Sequence, residues 1–180
     1  MKNTILNMTL TLVIIAVVVS VAMSYVNGIT APLIAQNAAE KLNKSLAEVI
    51  DAKEFPVFEE TEDYVIYEAL KDGERVGFCV QNASSGYGGD ITLLTGIDKD
   101  YKVTGVALLS HAETAGLGAN ADKAEFKNQY KGKTENIGVV KNSPKENDIV
   151  AISGATITSK AVTNGVNEAV RLAKEAQINE

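Results

Sequence analysis

The chain has 180 residues, of which 17 are basic and 23 acidic, and its net charge of −6 at pH 7 argues against nucleic acid as a partner. A single cysteine, Cys79, excludes an internal disulfide and an iron–sulfur cluster, and a single histidine, His111, argues against a haem or zinc site built from this chain. If the protein performs redox chemistry, its cofactor must therefore be organic.

The N-terminal segment is apolar enough to span a membrane. No charged residue occurs between Asn3 and Ala39, and the run from Ile5 to Val26 is almost wholly apolar. At a rise of about 1.5 Å per residue, such a run crosses the roughly 30 Å hydrocarbon core of a bilayer. We therefore predict a cytoplasmic N-terminus and one transmembrane helix, in contact with membrane lipid, within residues 1–29, followed by an exported domain over residues 30–180.

The orientation prediction depends on the charges beside this helix. Lys2 and the α-amino group are the positive charges near its first end, and the other end has none until Lys41. The positive-inside rule then places the C-terminal domain on the extracytoplasmic side of the cell membrane. The alternative is a cleaved secretory signal with a cleavage site at Ser20-Val21-Ala22, although signal h-regions usually have about 7–15 residues. Both interpretations export residues 30–180.

The exported part reads as an α+β domain. Its pattern predicts a helix over residues 31–54, with Pro32 in the first turn, and a closing helix over residues 158–176. Predicted strands lie between these helices: 64–70 and 75–81, joined by an Asp-Gly turn, then 91–97 and 103–109, and finally 149–152. This order predicts a mainly antiparallel sheet with helices packed on one face.

Three glycine-rich loops interrupt these elements, at residues 84–89, 111–118 and 131–133. Glycine in such density is typical of tight turns and of places where the backbone closely approaches another group. Each loop alone is weak evidence for a site. Together with the start of the last helix, the loops predict a ligand cleft.

The start of the last helix has the pattern of a phosphate site. Residues 153–160 read Ser-Gly-Ala-Thr-Ile-Thr-Ser-Lys and follow the last predicted strand. Thr156 is predicted at or next to the N-cap, where backbone N–H groups lack helical partners, and Gly154 and Ala155 leave space around its hydroxyl. The residues that follow add two hydroxyls and one cation: Thr158, Ser159 and Lys160. The pattern predicts a bound phosphate, with a plain helix cap as the alternative.

Residues 153–159 also resemble the flavinylation motif of FMN-binding domains from the Rnf and Na⁺-translocating NADH:quinone reductase complexes. The resemblance implies that Thr156 binds FMN covalently through a phosphoester bond, which a separate flavin transferase forms. Residues 87–89 resemble the family's glycine turn, residues 113–118 its Glu-Thr-Pro-Gly-Leu-Gly loop, and residues 129–133 its Gln-Phe-Lys-Gly-Lys stretch. With the N-terminal span, the likeness covers nearly the whole chain, and the short length resembles the Rnf type.

The resemblance implies an electron-transfer subunit of a membrane complex that oxidises reduced ferredoxin, reduces NAD⁺ and translocates ions. Its partners would be the other membrane, iron–sulfur and flavin subunits, and it would have no complete catalytic activity alone. No catalytic residue or metal ligand is implied. The implied cofactor-binding residues lie in three segments: Ser153, Gly154, Ala155, Thr156, Thr158, Ser159 and Lys160; Tyr87, Gly88 and Gly89; Glu113, Thr114, Gly116, Leu117 and Gly118.

The chain departs from the family pattern at two positions. Ala115 stands where the family usually has proline, which loosens that loop. Val150 stands where the pattern associated with transferase recognition has aspartate, and Asp148 would share its side of a strand and substitute in part. This second departure concerns the efficiency of flavin attachment more than the presence of a flavin site.

Alternatives without a role in cofactor binding stay open for several residues, and alternative functions stay open for the whole chain. His111 is more often a satisfied polar residue than a flavin contact, Glu113 is the better candidate to face the cofactor, and Cys79 is expected in the core. Two other classes of protein remain alternatives to the implied function. One is a covalent-FMN module of another exported redox chain, such as Na⁺-translocating NADH:quinone reductase, and the other is a non-redox membrane-anchored structural protein.

Overall fold

The N-terminal helix is longer than predicted and continuous. The structure, a computed structural model, describes residues 2–178, with side chains from residue 6 onward. Helix α1 extends over Lys2–Val49, so Pro32 lies inside it and the predicted separate helix from residue 31 is wrong. Its part from Leu6 onward is long and apolar enough to cross a membrane, by length and composition, which is compatible with a membrane anchor. Proline is tolerated within such helices.

Helix α1 ends at Val49 rather than at residue 54, because the backbone that follows the helix forms hydrogen bonds with Leu70. The N–H groups of Lys53 and Glu54 donate to the carbonyl of Leu70 at 2.9 and 3.2 Å instead of to helical partners. The chain divides between residues 40 and 41 into two compact units. The boundary predicted at residues 29 and 30 stays a prediction. The Lys2 side chain and the α-amino group, on which the orientation prediction rests, lie outside the described residues.

The second unit is built on a five-stranded antiparallel sheet in which each strand pairs with the next along the chain. The strands are β1 (Val57–Glu60), β2 (Tyr64–Lys71), β3 (Glu74–Ser85), β4 (Asp90–Asp98) and β5 (Val103–Ser110). The Asp-Gly turn between β2 and β3 has positive φ at both residues, 53° and 84°, as this hairpin type requires. The predicted α+β class with a mainly antiparallel sheet is confirmed.

Several elements differ from the prediction in extent or were missed. Strand β3 continues through Ser85, so the first glycine loop shortens to residues 86–89, which join β3 to β4 as a hairpin turn. After β5 come a 3₁₀ turn (Gly118–Asp122), the short helix α2 (Ala124–Lys127) and a second 3₁₀ turn (Asn128–Tyr130). Strands β6 (Gly138–Val140) and β7 (Asp148–Val150) then form a small parallel sheet. Strands β1 and β6 were missed because they have only four and three residues, with no fully buried position.

The last helix, α3 (Thr156–Ile178), packs on one face of the large sheet, and the end of α1 packs on the other. Helical segments therefore cover both faces, and the prediction of helices on one face is wrong. The apolar positions of α3 that pack on the sheet include the buried Ala161, Ala169 and Ala173. Ile157 is instead 56% exposed, because the first turn of α3 borders a cleft rather than the sheet.

Cys79 is fully buried in the core on the α1 side of the sheet, as predicted. Burial raises the pKa of its thiol to about 12, so the thiol is protonated at neutral pH. A protonated, inaccessible thiol neither binds a metal nor attacks an electrophile. Cys79 therefore contributes packing rather than chemistry.

Candidate functional site

A cleft of about 930 Å³ lies where the start of α3 meets the loops that follow β3, β5, β6 and β7. This volume falls in the range typical of small-molecule and cofactor sites. Sixteen described residues line it: Tyr87, Glu113, Thr114, Leu117, Gly118, Lys141, Asn142, Val150, Ala151, Ile152, Ser153, Gly154, Ala155, Thr156, Ile157 and Thr158.

Residues 150–158 line the cleft without a gap, and we call this segment the motif wall. It runs from the end of β7 to the first turn of α3. The chain reverses at Gly154, whose φ of 75° favours glycine. Ser159, fully buried behind the wall, fixes the turn: its Oγ accepts from the N–H of Ile152 and donates to the carbonyl of Ala155, both at 2.9 Å.

Thr156 is the first residue of α3, which agrees with the prediction that it lies at or next to the N-cap. Its half-buried side chain lines the cleft. The N–H groups of a helix's first turn have no helical partner and favour an anion. Thr156 therefore presents a hydroxyl beside a backbone site suited to phosphate.

The opposite wall is formed by Tyr87, Glu113, Thr114, Leu117 and Gly118, and we call it the glycine wall. Its centre is the buried carboxylate of Glu113. One carboxylate oxygen, Oε1, accepts the N–H groups of Tyr87 at 2.7 Å and Gly88 at 3.0 Å. The other, Oε2, accepts the Thr158 hydroxyl at 2.6 Å, so the carboxylate connects the two walls.

Two opposing effects act on the pKa of Glu113. Burial raises the pKa, but the hydrogen bonds from Thr158, Gly88 and Tyr87 stabilise the carboxylate, and His111 lowers the pKa further. The lowering effects together exceed the burial effect, so the pKa lies below the ordinary value of 4.5. Glu113 is therefore ionised at neutral pH, and it places a fixed negative charge in the glycine wall.

Ten of the fifteen residues predicted for the site line the cleft within the described chain: Ser153, Gly154, Ala155, Thr156, Thr158, Tyr87, Glu113, Thr114, Leu117 and Gly118. The other five lie outside its lining: Gly88, Gly89, Gly116, Ser159 and Lys160. Gly88 and Ser159 support the walls through hydrogen bonds. Among the described residues, His111 is also outside the lining, and its Nδ1 accepts the N–H of Glu113 at 3.3 Å.

The lysine that lines the cleft is Lys141, whereas the sequence predicted Lys160. Lys160 is exposed and outside the lining, whereas Lys141 and Asn142, which follow β6, line the cleft. The sequence gives little signal for these two residues, because they lie in a polar stretch whose short strand was not recognised. The remaining unpredicted lining residues belong to the motif wall, where continuity with the motif indicates them.

In the part of the chain that the structure describes, Val150 lines the cleft and Asp148 lies outside its lining. The side chain of Gln129 holds the Val150 backbone: its Oε1 accepts the N–H at 2.7 Å, and its Nε2 donates to the carbonyl at 3.3 Å. Asp148 instead accepts the N–H of Lys145 at 3.0 Å, within the connection between β6 and β7. Asp148 is thus engaged away from the position where it was expected to substitute for aspartate.

Comparisons with known proteins identify the family. The model of the FMN-binding domain family matches residues 86–171, and that of the RnfG N-terminal region matches residues 1–49. Over 171 residues the chain is 39% identical to the G subunit of the proton-translocating ferredoxin:NAD(+) oxidoreductase complex of Clostridium ljungdahlii, and the match covers 94% of this chain and 91% of that protein. The chain belongs to the RnfG family.

Two further comparisons place this RnfG-family chain among its relatives. The G subunit of the Na(+)-translocating ferredoxin:NAD(+) oxidoreductase complex of Acetobacterium woodii is 44% identical over 112 residues, and the match covers 59% of this chain and 54% of that protein. The chain thus aligns with about half of that relative. The crystal structure of the C subunit of Na(+)-translocating NADH-quinone reductase from Parabacteroides distasonis is similar, with a TM-score of 0.50 and 27% identity, covering 64% of this chain and 61% of that one.

Proposed function

We propose that this RnfG-family chain is the electron-transfer subunit of an ion-translocating ferredoxin:NAD⁺ oxidoreductase complex, and that its FMN is attached to Thr156 through a phosphoester bond. The observation that carries the proposal is the position of Thr156. It is the first residue of α3, it lines a cleft of about 930 Å³, and it lies inside the segment that matches the FMN-binding domain family.

The residues around Thr156 fit a tethered FMN. The first turn of α3 offers backbone N–H groups to a phosphate, and Lys141 adds a cation in the same cleft. Tyr87, Leu117 and Ile157 line the cleft and are 72%, 45% and 56% exposed, so they present apolar surface to a flat aromatic ring. Bound FMN supplies the chemistry of a carrier that accepts and releases electrons. The protein's part is to place the ring and set the charge around it.

The location and partners follow from the same proposal. Helix α1 anchors the chain in the membrane by a single span, and the domain over residues 30–180 lies on the extracytoplasmic side. A flavin transferase forms the bond to Thr156, and the other membrane, iron–sulfur and flavin subunits of the complex donate and accept electrons. Covalent attachment has a physical use here, because an exported flavin held by weak contacts alone would be lost irreversibly to the medium.

The experiment is in-gel flavin fluorescence of the denatured full-length protein, expressed with and without a flavin transferase. Wild type with transferase is expected to fluoresce at its own molecular mass, and Thr156→Ala is expected to lose the signal completely, because the attachment atom is absent. The matched control is Thr114→Ala, which removes another hydroxyl from the same cleft and is expected to retain the signal. Fluorescence retained in Thr156→Ala would refute the site.

One alternative function has a specific observation in its favour. The likeness to the NADH-quinone reductase structure supports the same flavin site in a different exported redox chain. Purification from native membranes separates the two functions, because the partner subunits retained with the protein differ. Co-purification with quinone reductase subunits would favour the alternative. The match to the FMN-binding domain family argues against the third possibility, a structural protein without a redox role.

A further inference from the structure

The carboxylate of Glu113 is held by segments that are distant in sequence. The N–H donors on Oε1 belong to Tyr87 and Gly88, which are 26 and 25 positions away, and the hydroxyl on Oε2 belongs to Thr158, 45 positions away. We call these four residues the Glu113 network. Because one carboxylate joins the β3–β4 turn, the loop after β5 and the first turn of α3, it sets the distance between the walls of the cleft.

Glycines leave the space that this carboxylate occupies. A Cβ at Gly86 would overlap Oε1 of Glu113, and a Cβ at Gly118 would overlap its Oε2 and approach the Thr158 hydroxyl to 2.7 Å. At Gly88 a Cβ would overlap the backbone of Ala112. These close approaches explain why the three positions are glycine: a larger side chain would overlap the Glu113 network or its loop. Contact with a ligand is not needed to account for them.

The N–H groups of Tyr87 and Gly88 are successive and point to one oxygen, an arrangement that binds anions. In this protein the anion is internal, since Glu113 occupies the position. The cleft therefore has two anion-binding places: one in the glycine wall, filled by Glu113, and one at the start of α3, beside Thr156. A phosphate entering the cleft is directed to the second place, because the first already has its negative charge.

We propose that Glu113 is the positioning residue of the flavin site, holding the two walls at a fixed separation and placing a permanent negative charge beside the flavin. This inference rests on the proposed function and adds a role that the flavin-binding motif does not contain. Glu113 acts through Tyr87, Gly88 and Thr158, whose donors it engages. Its charge opposes the addition of electrons to a nearby flavin, so it lowers the reduction potential of that flavin.

The two effects of Glu113 separate in two variants. In Glu113→Gln, the amide oxygen can accept the N–H groups of Tyr87 and Gly88, and the amide NH₂ can donate to the Thr158 hydroxyl, so the network persists without the charge. Glu113→Ala removes both the network and the charge.

Thr158→Val removes the donor to Oε2 at nearly constant volume, and Thr158→Ser restores it. Glu125→Gln is the matched control, because Glu125 is an exposed carboxylate of α2 outside the cleft lining in the described residues.

The first measurement needs no flavin. Amide hydrogen exchange at Tyr87 and Gly88, in protein expressed without a transferase, is expected to be slow in wild type, Glu113→Gln and Glu125→Gln. It is expected to be roughly tenfold faster in Glu113→Ala, because those N–H groups lose their buried acceptor. Equal exchange in wild type and Glu113→Ala would overturn the positioning role. Because this result is independent of flavin attachment, it distinguishes failure of the inference from failure of the proposed function.

The second measurement uses the flavinylated protein. The midpoint potential of the attached flavin is expected to shift to a more positive value in Glu113→Gln and to stay at the wild-type value in Glu125→Gln. The initial rate of attachment is expected to fall roughly tenfold in Thr158→Val and to recover in Thr158→Ser. An unchanged potential in Glu113→Gln would overturn the electrostatic role, and a purely structural residue would give that result.

Discussion

The two walls of the cleft are built in different ways. The motif wall is nine consecutive residues, and local hydrogen bonds fix it, such as those of Ser159 to Ile152 and Ala155. The glycine wall brings together two loops whose mutual position depends on Glu113. The motif wall is held mostly by hydrogen bonds along its own segment, with Gln129 bonded to the backbone of Val150, whereas the glycine wall depends on the single side chain of Glu113. Under the proposed function, the motif wall attaches the cofactor and the glycine wall tunes it.

The largest effect is expected from filling the space around Glu113. Gly118→Ala is expected to destabilise the protein by about 2–3 kcal/mol, because the added methyl group overlaps the carboxylate and approaches the Thr158 hydroxyl. Gly116→Ala is the matched control in the same loop: its φ of 77° costs about 1 kcal/mol, but nothing lies within 4 Å of the new methyl group. Thermal unfolding of both variants in detergent measures the difference. Equal destabilisation would contradict the close packing of the glycine wall.

A smaller effect is expected from pH. The pKa of Glu113 is lower in the folded protein than its ordinary value of 4.5, so its contribution to stability is fully present above that value. The contribution is lost as the pH falls through the lower, folded pKa. Urea unfolding between pH 7 and pH 3 should therefore show a steeper decline in wild type than in Glu113→Gln. Parallel curves would show that the ionised carboxylate of Glu113 adds no stability beyond that of the neutral amide.

The smallest effect concerns the two lysines near the motif wall. Lys141→Ala is expected to slow flavin attachment about two- to fivefold, because an exposed charge pair contributes about 0.2–1 kcal/mol. Lys160→Ala is the control, since Lys160 follows the motif in sequence but lies outside the cleft lining in the described chain. Initial rates of attachment measure both variants. A larger effect for Lys160 would indicate that proximity in sequence, rather than position in the cleft, decides which cation acts.

The motif wall was predictable from sequence, and the glycine wall was predictable only in part. A hydroxyl-rich turn before an amphipathic helix is a local pattern, so Thr156 was placed correctly at the start of α3. The loop of Glu113 was assigned to the site by resemblance, but the partners of its carboxylate were not foreseen. Their separation of 25 to 45 positions leaves no periodic signal in the chain.

The fold shows the same division between local and distant interactions. The hairpin at the Asp-Gly turn follows from local turn chemistry, and its prediction is confirmed. Strand β6 was not predicted because three residues give no alternation, and its pairing with β7 depends on the connection between them. Lys141, which follows β6, was missed for the same reason. The end of α1 was placed five residues too late, because the competing partner of Lys53 and Glu54 is Leu70 on a distant strand.

The central claim, covalent FMN at Thr156, is tested most directly by peptide mass spectrometry of the protein expressed with a flavin transferase. Trypsin is expected to release residues 146–160, which contain Thr156 together with Ser153, Thr158 and Ser159. The proposal predicts that this peptide has the added mass of FMN linked as a phosphoester, and that fragmentation places the added mass on Thr156. An unmodified peptide, or an added mass on Thr158 or another hydroxyl, would contradict it.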